Sequence, residues 1–174
     1  MTQHDLVTES SLPAAVVLDL DGVLADTRHR MHFIERRPKD WDGFFTAAVR
    51  DPVHPEGLAL ARSAADQGRA VVYLSGRPER TRENTVDWLR RQGAPDGEVL
   101  LRRDDDRRPA RMVKIAHLRR LNERFDLQVL VDDDPEVVRA VRSARPRLVA
   151  EVMLADWQPR DAALHRAQER EGRT

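Results

Sequence analysis

The sequence predicts an α/β protein: a Rossmann-like, doubly wound parallel sheet with a small helical cap inserted after the first strand. Three observations lead there. Short β-branched runs, at Ala14–Leu20, Ala70–Leu74, Val129–Val131 and Leu148–Leu154, are apolar almost throughout, as strands buried on both faces are. Helix-length segments separate them, and two of these close on a glycine, Gly68 and Gly93. Strands that alternate with helices in this way imply βαβ units.

In chain order, Ala14–Leu20 is the first strand. Residues 25–54 do not return at once to the sheet; they hold Trp41, Phe44, Phe45 and several histidines in what reads as two short helices. A segment of that length is too long for a bare loop, so it is expected to cap one end of the sheet. Pro55–Gln67 is a helix, Ala70–Leu74 the second strand, Glu79–Gln92 a helix and Glu98–Leu101 a weaker strand. Ala110–Phe125 carries Met112, Ile115, Leu118, Leu121 and Phe125 as a stripe at helical spacing. Val129–Val131 is a strand, Glu136–Ala144 a helix that stops before Pro146, and Leu148–Leu154 the last strand. The expected organisation is one domain over 14–156 with a cap at about 25–54. Segments 1–13 and 158–174 are expected to be flexible, the second being rich in Arg and Glu without strong periodicity.

Composition excludes several classes. The 174 residues suit one domain. Lys and Arg number 30 against 30 Asp and Glu, so no global field steers the chain onto nucleic acid or an anionic membrane. The absence of cysteine removes disulfides, zinc–thiolate sites, iron–sulfur clusters and thiol nucleophiles. No apolar run approaches the ~20 residues of a membrane span. Met1–Ser11 is polar and lacks a signal-peptide core. An intracellular, cytoplasmic protein with no membrane partner is the expectation.

The sharpest chemical signal is Val16-Val17-Leu18-Asp19-Leu20-Asp21-Gly22-Val23-Leu24-Ala25-Asp26. A strand delivers two acids at its carboxyl end, where open α/β sheets bind ligands. Alternation places Asp19 and Asp21 on the same side, where they repel and a divalent cation would relieve them. A second strand ends in Ser75-Gly76-Arg77-Pro78 and is expected to open a helix, either as an ordinary helix start or as an anion cradle of Ser75 and backbone N–H groups, with Arg77 as a forked donor. Lys114 stands near the start of an amphipathic helix. Val129-Leu130-Val131-Asp132-Asp133-Asp134-Pro135 again ends a strand in acids; Asp134 reads as a helix N-cap, which leaves Asp132 and Asp133 unexplained.

Acid pair, hydroxyl–Gly, lysine and acid pair, in that order and at strand ends that converge on one crevice, resemble the magnesium-dependent phosphatases of the haloacid dehalogenase (HAD) superfamily. The resemblance covers Ala14 to Leu154. Ser75-Gly76-Arg77-Pro78-Glu79, Trp88-Leu89, Arg108-Pro109 before Val113-Lys114, and Val131-Asp132-Asp133 are similar to the phosphatase domain of bacterial and phage polynucleotide kinase/3′-phosphatases. So is the stretch Thr27-Arg28-His29-Arg30-Met31-His32-Phe33-Ile34 with Lys39-Asp40-Trp41. The chain departs from the pattern at Ala110, where an acid is expected, and at Asp134, where an arginine often follows the acid pair. No G-x-x-x-x-G-K-[ST] loop occurs in these residues, so a phosphatase without the kinase half is the expectation.

The resemblance implies an aspartyl-phosphate mechanism. Asp19 would be the nucleophile, and Asp21 the general acid and then the base that activates water. Ser75 would hold a phosphoryl oxygen, and Lys114 would neutralise charge on Asp19 and on the transferring group. Mg2+ would bind Asp19, the backbone oxygen of Asp21, and Asp133 or Asp132. Gly76, Arg77, Arg28 and Arg30 are the expected substrate-binding residues; Asp104–Asp106 reads as a solvated loop, and arginines 102, 103, 107, 108 and 111 around it as either an outer phosphate patch or an ordinary arginine-rich loop. The expected substrate is a 3′-phosphate end of DNA or RNA, or a nucleotide 3′-phosphate. The alternatives are a small metabolite such as a 5′-nucleotide or sugar phosphate, or phosphate-end binding without turnover. His29 and His32 suggest a lid surface rather than a zinc pair, and Trp41, Phe44 and Phe45 a cap core rather than a base-stacking platform.

Overall fold

The computed structural model describes residues 12–158; the expectations for segments 1–11 and 159–174 lie outside the described residues. Five strands, β1 (Ala14–Leu18), β2 (Ala70–Pro78), β3 (Glu98–Arg102), β4 (Asp126–Asp132) and β5 (Glu151–Leu154), form one sheet in the order β3-β2-β1-β4-β5. Every pairing is parallel. Six α-helices accompany them: α1 (His32–Glu35), α2 (Trp41–Ala47), α3 (Pro55–Asp66), α4 (Arg82–Arg91), α5 (Ala110–Leu121) and α6 (Pro135–Ser143).

The alternation in β1 builds two cores. Val16 and Leu18 join Val71, Tyr73, Val131, Ala61 and Ala64 of α3, and Trp88 and Leu89 of α4 on one face. Ala15 and Val17 join Val72, Leu130, Leu118 and Leu121 of α5, and Val137 and Val141 of α6 on the other. Helices therefore cover both faces, which is why the strands read as continuous apolar runs. The order reverses beside β1: the chain moves outward to β2 and β3, then crosses back to β4 on the other side. At such a reversal the carboxyl ends of two neighbouring strands open a crevice.

Residues between β1 and α3 fold over that end. Two 3-10 turns, Arg28–Arg30 and Ala48–Arg50, flank α1 and α2. Ile34, Phe44 and Phe45 form a separate small core with Met31, Phe33 and Trp41 around it, as expected for a cap interior. The two passes of chain meet at a neck, where Ala25 bridges Val53, Asp26 N donates to Pro52 O (2.8 Å) and His54 N donates to Leu24 O (2.7 Å). Gln158 closes the neck: its side-chain oxygen accepts from Thr27 N at 3.0 Å and lies 3.0 Å from His54 Nε2, and its amide donates to Thr27 Oγ1 (2.9 Å).

Several elements differ from expectation: β1 ends at Leu18 rather than Leu20, β4 begins at Asp126 rather than Val129, and three further differences bear on the site or the core. β2 does not give way to a helix after Ser75; it continues to Pro78, which pairs with Arg102 after a register shift, and α4 begins only at Arg82. The α5 helix ends at Leu121 rather than Phe125, because Asn122 turns its side-chain amide to Leu148 O (2.7 Å) and the chain must enter β4 at Asp126. Leu148 and Val149 are buried in the second core, but the strand itself begins at Glu151.

Candidate active site

The crevice holds two clusters of opposite character. The first lies where β1 and β4 end. Asp19 N donates to Val131 O at 2.9 Å, carrying the sheet one residue past β1. The Asp19 carboxylate is held on both oxygens: Oδ1 accepts from Leu20 N (2.7 Å) and Oδ2 from Lys114 Nζ (2.7 Å). Lys114, on the inner face of α5, also donates to Asp132 Oδ2 at 2.6 Å. The other Asp132 oxygen accepts from Asp134 N at 3.0 Å. Asp133 presses against Gly22, whose φ is +82° and where a Cβ would lie 2.0 Å from Asp133 Oδ2. Only glycine accepts both the left-handed backbone and that close approach.

Asp19, Asp132 and Asp133 are buried and can bring one oxygen each within 4.8 Å of one another. Lys114 pairs with Asp19 and with Asp132 in this cluster. Burial drives the Asp19 carboxyl well above its ordinary value, Lys114 opposes that rise, and Asp132 and Asp133 add to it. Burial also raises Asp132. Burial opposes the charge on Lys114, yet Asp132 and Asp19 outweigh it and hold the ammonium charged. Three buried carboxylates that converge as an oxygen-only donor set fit a hard divalent cation.

The second cluster surrounds Asp21, whose carboxylate turns away from the first. Asp21 Oδ1 accepts from Arg30 Nη2 (2.8 Å) and Arg77 Nε (2.8 Å). Burial raises this carboxyl, but the two guanidiniums overcome it and hold it below the ordinary carboxylate range. Both arginines also bind Asp51, Arg30 through Nε (2.8 Å) and Nη2 (2.7 Å), and Arg77 through Nη2 (2.9 Å). Aromatic faces support them: the Arg30 guanidinium sits 4.1 Å from the Phe44 ring centre and that of Arg77 5.7 Å from Trp88. Asp51 was missed by sequence reasoning. It stands in the loop that returns from the cap, in no motif, and the one available signal was an acid beside Pro52 in a segment otherwise read as lid.

The strand-end acids therefore do not act as a pair. A cation is not needed to relieve Asp21, since Arg30 and Arg77 do so; the carboxylates that converge with Asp19 are Asp132 and Asp133. Ser75 is buried in the crevice wall, and its Oγ accepts from Arg77 N at 3.2 Å. The helix expected to open after Ser75 begins further along: a 3-10 turn, Glu79–Thr81, leads into α4, which starts seven residues after Ser75. Gly76, in the strand extension, separates Ser75 from Arg77. Arg30 and Arg77 are buried, at 0% and 1% exposure, and both are engaged by Asp21 and Asp51. Arg28 is exposed but pairs with Asp26 through Nε (2.9 Å). The outer patch is largely self-neutralised: Arg103 pairs with Asp105 and Arg108 with Asp106, while buried Arg102 donates to Asp106 O and Arg108 O. His29 Nε2 lies 2.8 Å from Asp51, and His32 Nδ1 lies 3.1 Å from His29 O, so the two rings share no metal-like geometry.

A family model described as the polynucleotide kinase PNKP phosphatase domain matches residues 13–153. Among solved structures, a chain of the Pnkp1/Rnl/Hen1 RNA repair complex superposes with a TM-score of 0.70 at 25% identity, over 87% of this chain and 45% of that one. A second structure of that complex gives 0.69 at 26% identity, over 87% and 48%. The class C acid phosphatase from Bacillus anthracis, with tungstate bound, shares the fold at a TM-score of 0.63 and 16% identity, over 95% and 81%. Two curated relatives, the membrane-associated phosphatidylinositol transfer protein 3 of Mus musculus and of Homo sapiens, are each 33% identical over 64 residues, 34% of this chain and 7% of their own length. The chain thus spans under half of the Pnkp1 chains and a small fraction of those curated relatives. Among the described residues no helix is long and apolar enough to cross a membrane.

Proposed function

Since the chain belongs to the family of polynucleotide kinase PNKP phosphatase domains, and is a HAD-type phosphatase, we propose that it is a magnesium-dependent phosphomonoesterase that removes 3′-phosphate from nucleic-acid ends through an aspartyl-phosphate. The observation that carries this is the division of the crevice into an acidic cluster around Asp19 and an arginine-held Asp21.

Asp19 attacks phosphorus, with its carboxylate already fixed by Leu20 N and Lys114. The P–O bond to the leaving alkoxide breaks, and the alkoxide takes a proton from Asp21. Asp21 is ionised in the free protein, ready for the later base role; an arriving phosphate dianion opposes the two guanidiniums and favours the protonated form that the first step needs. Water then attacks the aspartyl-phosphate and Asp21 accepts its proton; inorganic phosphate leaves, the Asp19 carboxylate is restored, and Asp21 returns to solvent the proton it took from solvent when the substrate bound. Lys114 neutralises charge on Asp19, and Asp132 holds Lys114 in place. Ser75 binds a phosphoryl oxygen. A divalent cation held by Asp19, Asp133 and the backbone oxygen of Asp21 would supply charge neutralisation for the phosphoryl group.

The RNA repair setting of the Pnkp1 structures supports a polynucleotide end as substrate. The deciding experiment compares kcat/KM for a 3′-phosphorylated oligonucleotide, a 3′-mononucleotide, a 5′-nucleotide and a sugar phosphate, each with Mg2+ and with excess chelator. The expected result is highest efficiency on the oligonucleotide and none in chelator. Preference for a 5′-nucleotide or sugar phosphate overturns the substrate reading, and full activity in chelator overturns the cation.

A further inference from the structure

Asp51 has a carboxylate with no solvent exposure that accepts on both oxygens. Oδ1 lies 2.8 Å from Arg30 Nε and 2.8 Å from His29 Nε2. Oδ2 accepts from Arg30 Nη2 at 2.7 Å and Arg77 Nη2 at 2.9 Å. Its backbone oxygen accepts from Trp88 Nε1 at 2.9 Å, pinning the loop to the core. The same two arginines reach Asp21 Oδ1. Each guanidinium is a planar, rigid fork, so fixing one edge on Asp51 fixes the direction of the other edge toward Asp21. The four side chains are formally neutral together, which lets two guanidiniums be buried beside the crevice.

We propose that Asp51 is a positioning residue: by anchoring the Arg30 and Arg77 forks it orients the Asp21 carboxylate for proton transfer to the leaving group and from water. This rests on the assignment of Asp21 made above. It differs from a merely structural role in its kinetic signature. A residue that acts through Asp21 should affect substrates in proportion to their need for Asp21, whereas a loss of fold affects all alike.

The test uses Asp51→Asn, which keeps the shape but removes the charge. kcat/KM is read because it reports steps up to leaving-group departure. It is measured on a 3′-phosphorylated oligonucleotide, whose alkoxide needs a proton, and on 2,4-dinitrophenyl phosphate, whose leaving group does not. The expected loss is about 10²-fold on the oligonucleotide, the size that a misplacement of about 1 Å produces, and several-fold at most on the aryl ester. The ratio of the two, taken on one preparation, is independent of the fraction folded. Asp21→Asn is expected to show the same bias, with about 10²–10⁴-fold loss on the oligonucleotide. The double variant should lose no more than Asp21→Asn alone, as coupled sites do. If Asp51→Asn yields no folded protein, Asp51→Glu, which shifts the carboxylate by one methylene, must show the same bias in smaller degree. Equal losses on both substrates in the Asp51 variant, or losses that multiply in the double variant, overturn the proposal while Asp21→Asn retains its bias. Absence of bias in Asp21→Asn removes the assignment of Asp21 and the proposal with it.

Discussion

Asp19 and Asp21 are separated by a single residue, Leu20, and sit in opposite electrostatic surroundings. Replacing Asp19 by Asn removes the proposed nucleophile and is expected to lower turnover by about 10⁴-fold or more, with the circular dichroism spectrum unchanged. The same variant carries a stability prediction. A carboxyl whose folded value is raised binds its proton more tightly when folded, so ionised Asp19 opposes folding at neutral pH. That opposition fades as pH falls through the raised value toward the unfolded value of about 3.9. In chelator, Asp19→Asn should therefore melt above the wild type at neutral pH, with the gap closing as pH falls; Mg2+ should raise the wild-type melting temperature more than the variant's. Thermal melts across pH, with and without Mg2+, check this. Asp21 works the other way: its arginines depress it, so its stabilising share is present above about pH 3.9 and is lost below.

At the scale of elements, the strand ends do most of the positioning, and they were the most legible part of the chain. Val16-Val17-Leu18 before Asp19 and Val129-Leu130-Val131 before Asp132 announce themselves as apolar runs that stop at acids, because burial on both faces and the opening at the sheet's edge are local properties of the sequence. Asp134 does what its place before Pro135 suggests: its side chain accepts from Glu136 N (2.8 Å) and Val137 N (3.4 Å) at the start of α6. Asp134→Ala should cost about 1 kcal/mol, read as a lower urea midpoint at unchanged slope. What was not legible depends on distant partners. The stretch after Ser75 looks like a helix start, yet pairing of Pro78 with Arg102 keeps it extended. Asp51 gains its meaning from Arg30, Arg77 and Trp88, which approach from three other elements. A stripe that ends in Phe125 reads as helix to its last residue, although Phe125 reaches the core from a turn.

For the whole molecule, charge is balanced locally as well as globally. Arginines that looked available in the sequence are matched near at hand: Arg28 with Asp26, Arg103 with Asp105, Arg108 with Asp106, and Arg80 with Asp42 and Asp104. Pairs this exposed add little stability, but they reduce the number of cations a polymer can use. An oligonucleotide should therefore be held mainly at its phosphorylated end. The log–log salt dependence of its kcat/KM should be shallow, no steeper than about −1.4, the value for two single-strand phosphate contacts at about −0.7 each. A salt series with one 3′-phosphorylated oligonucleotide measures it; a steeper slope means that further cations reach the strand.

The cap contributes Arg30 to the interior of the crevice, and its returning loop contributes Asp51. Swinging it open would break the buried Arg30–Asp21 and Arg77–Asp51 pairs, at a cost of several kcal/mol. It behaves as part of the wall, so turnover on this scaffold should not be gated by a moving cover. The same tie limits how the scaffold can diversify. An unrelated cap cannot be exchanged for this one without also replacing the support of Asp21, so new specificities have to be built by altering exposed residues, such as Asp42, Arg80 and Asp104, while the cap stays with the residues it supports.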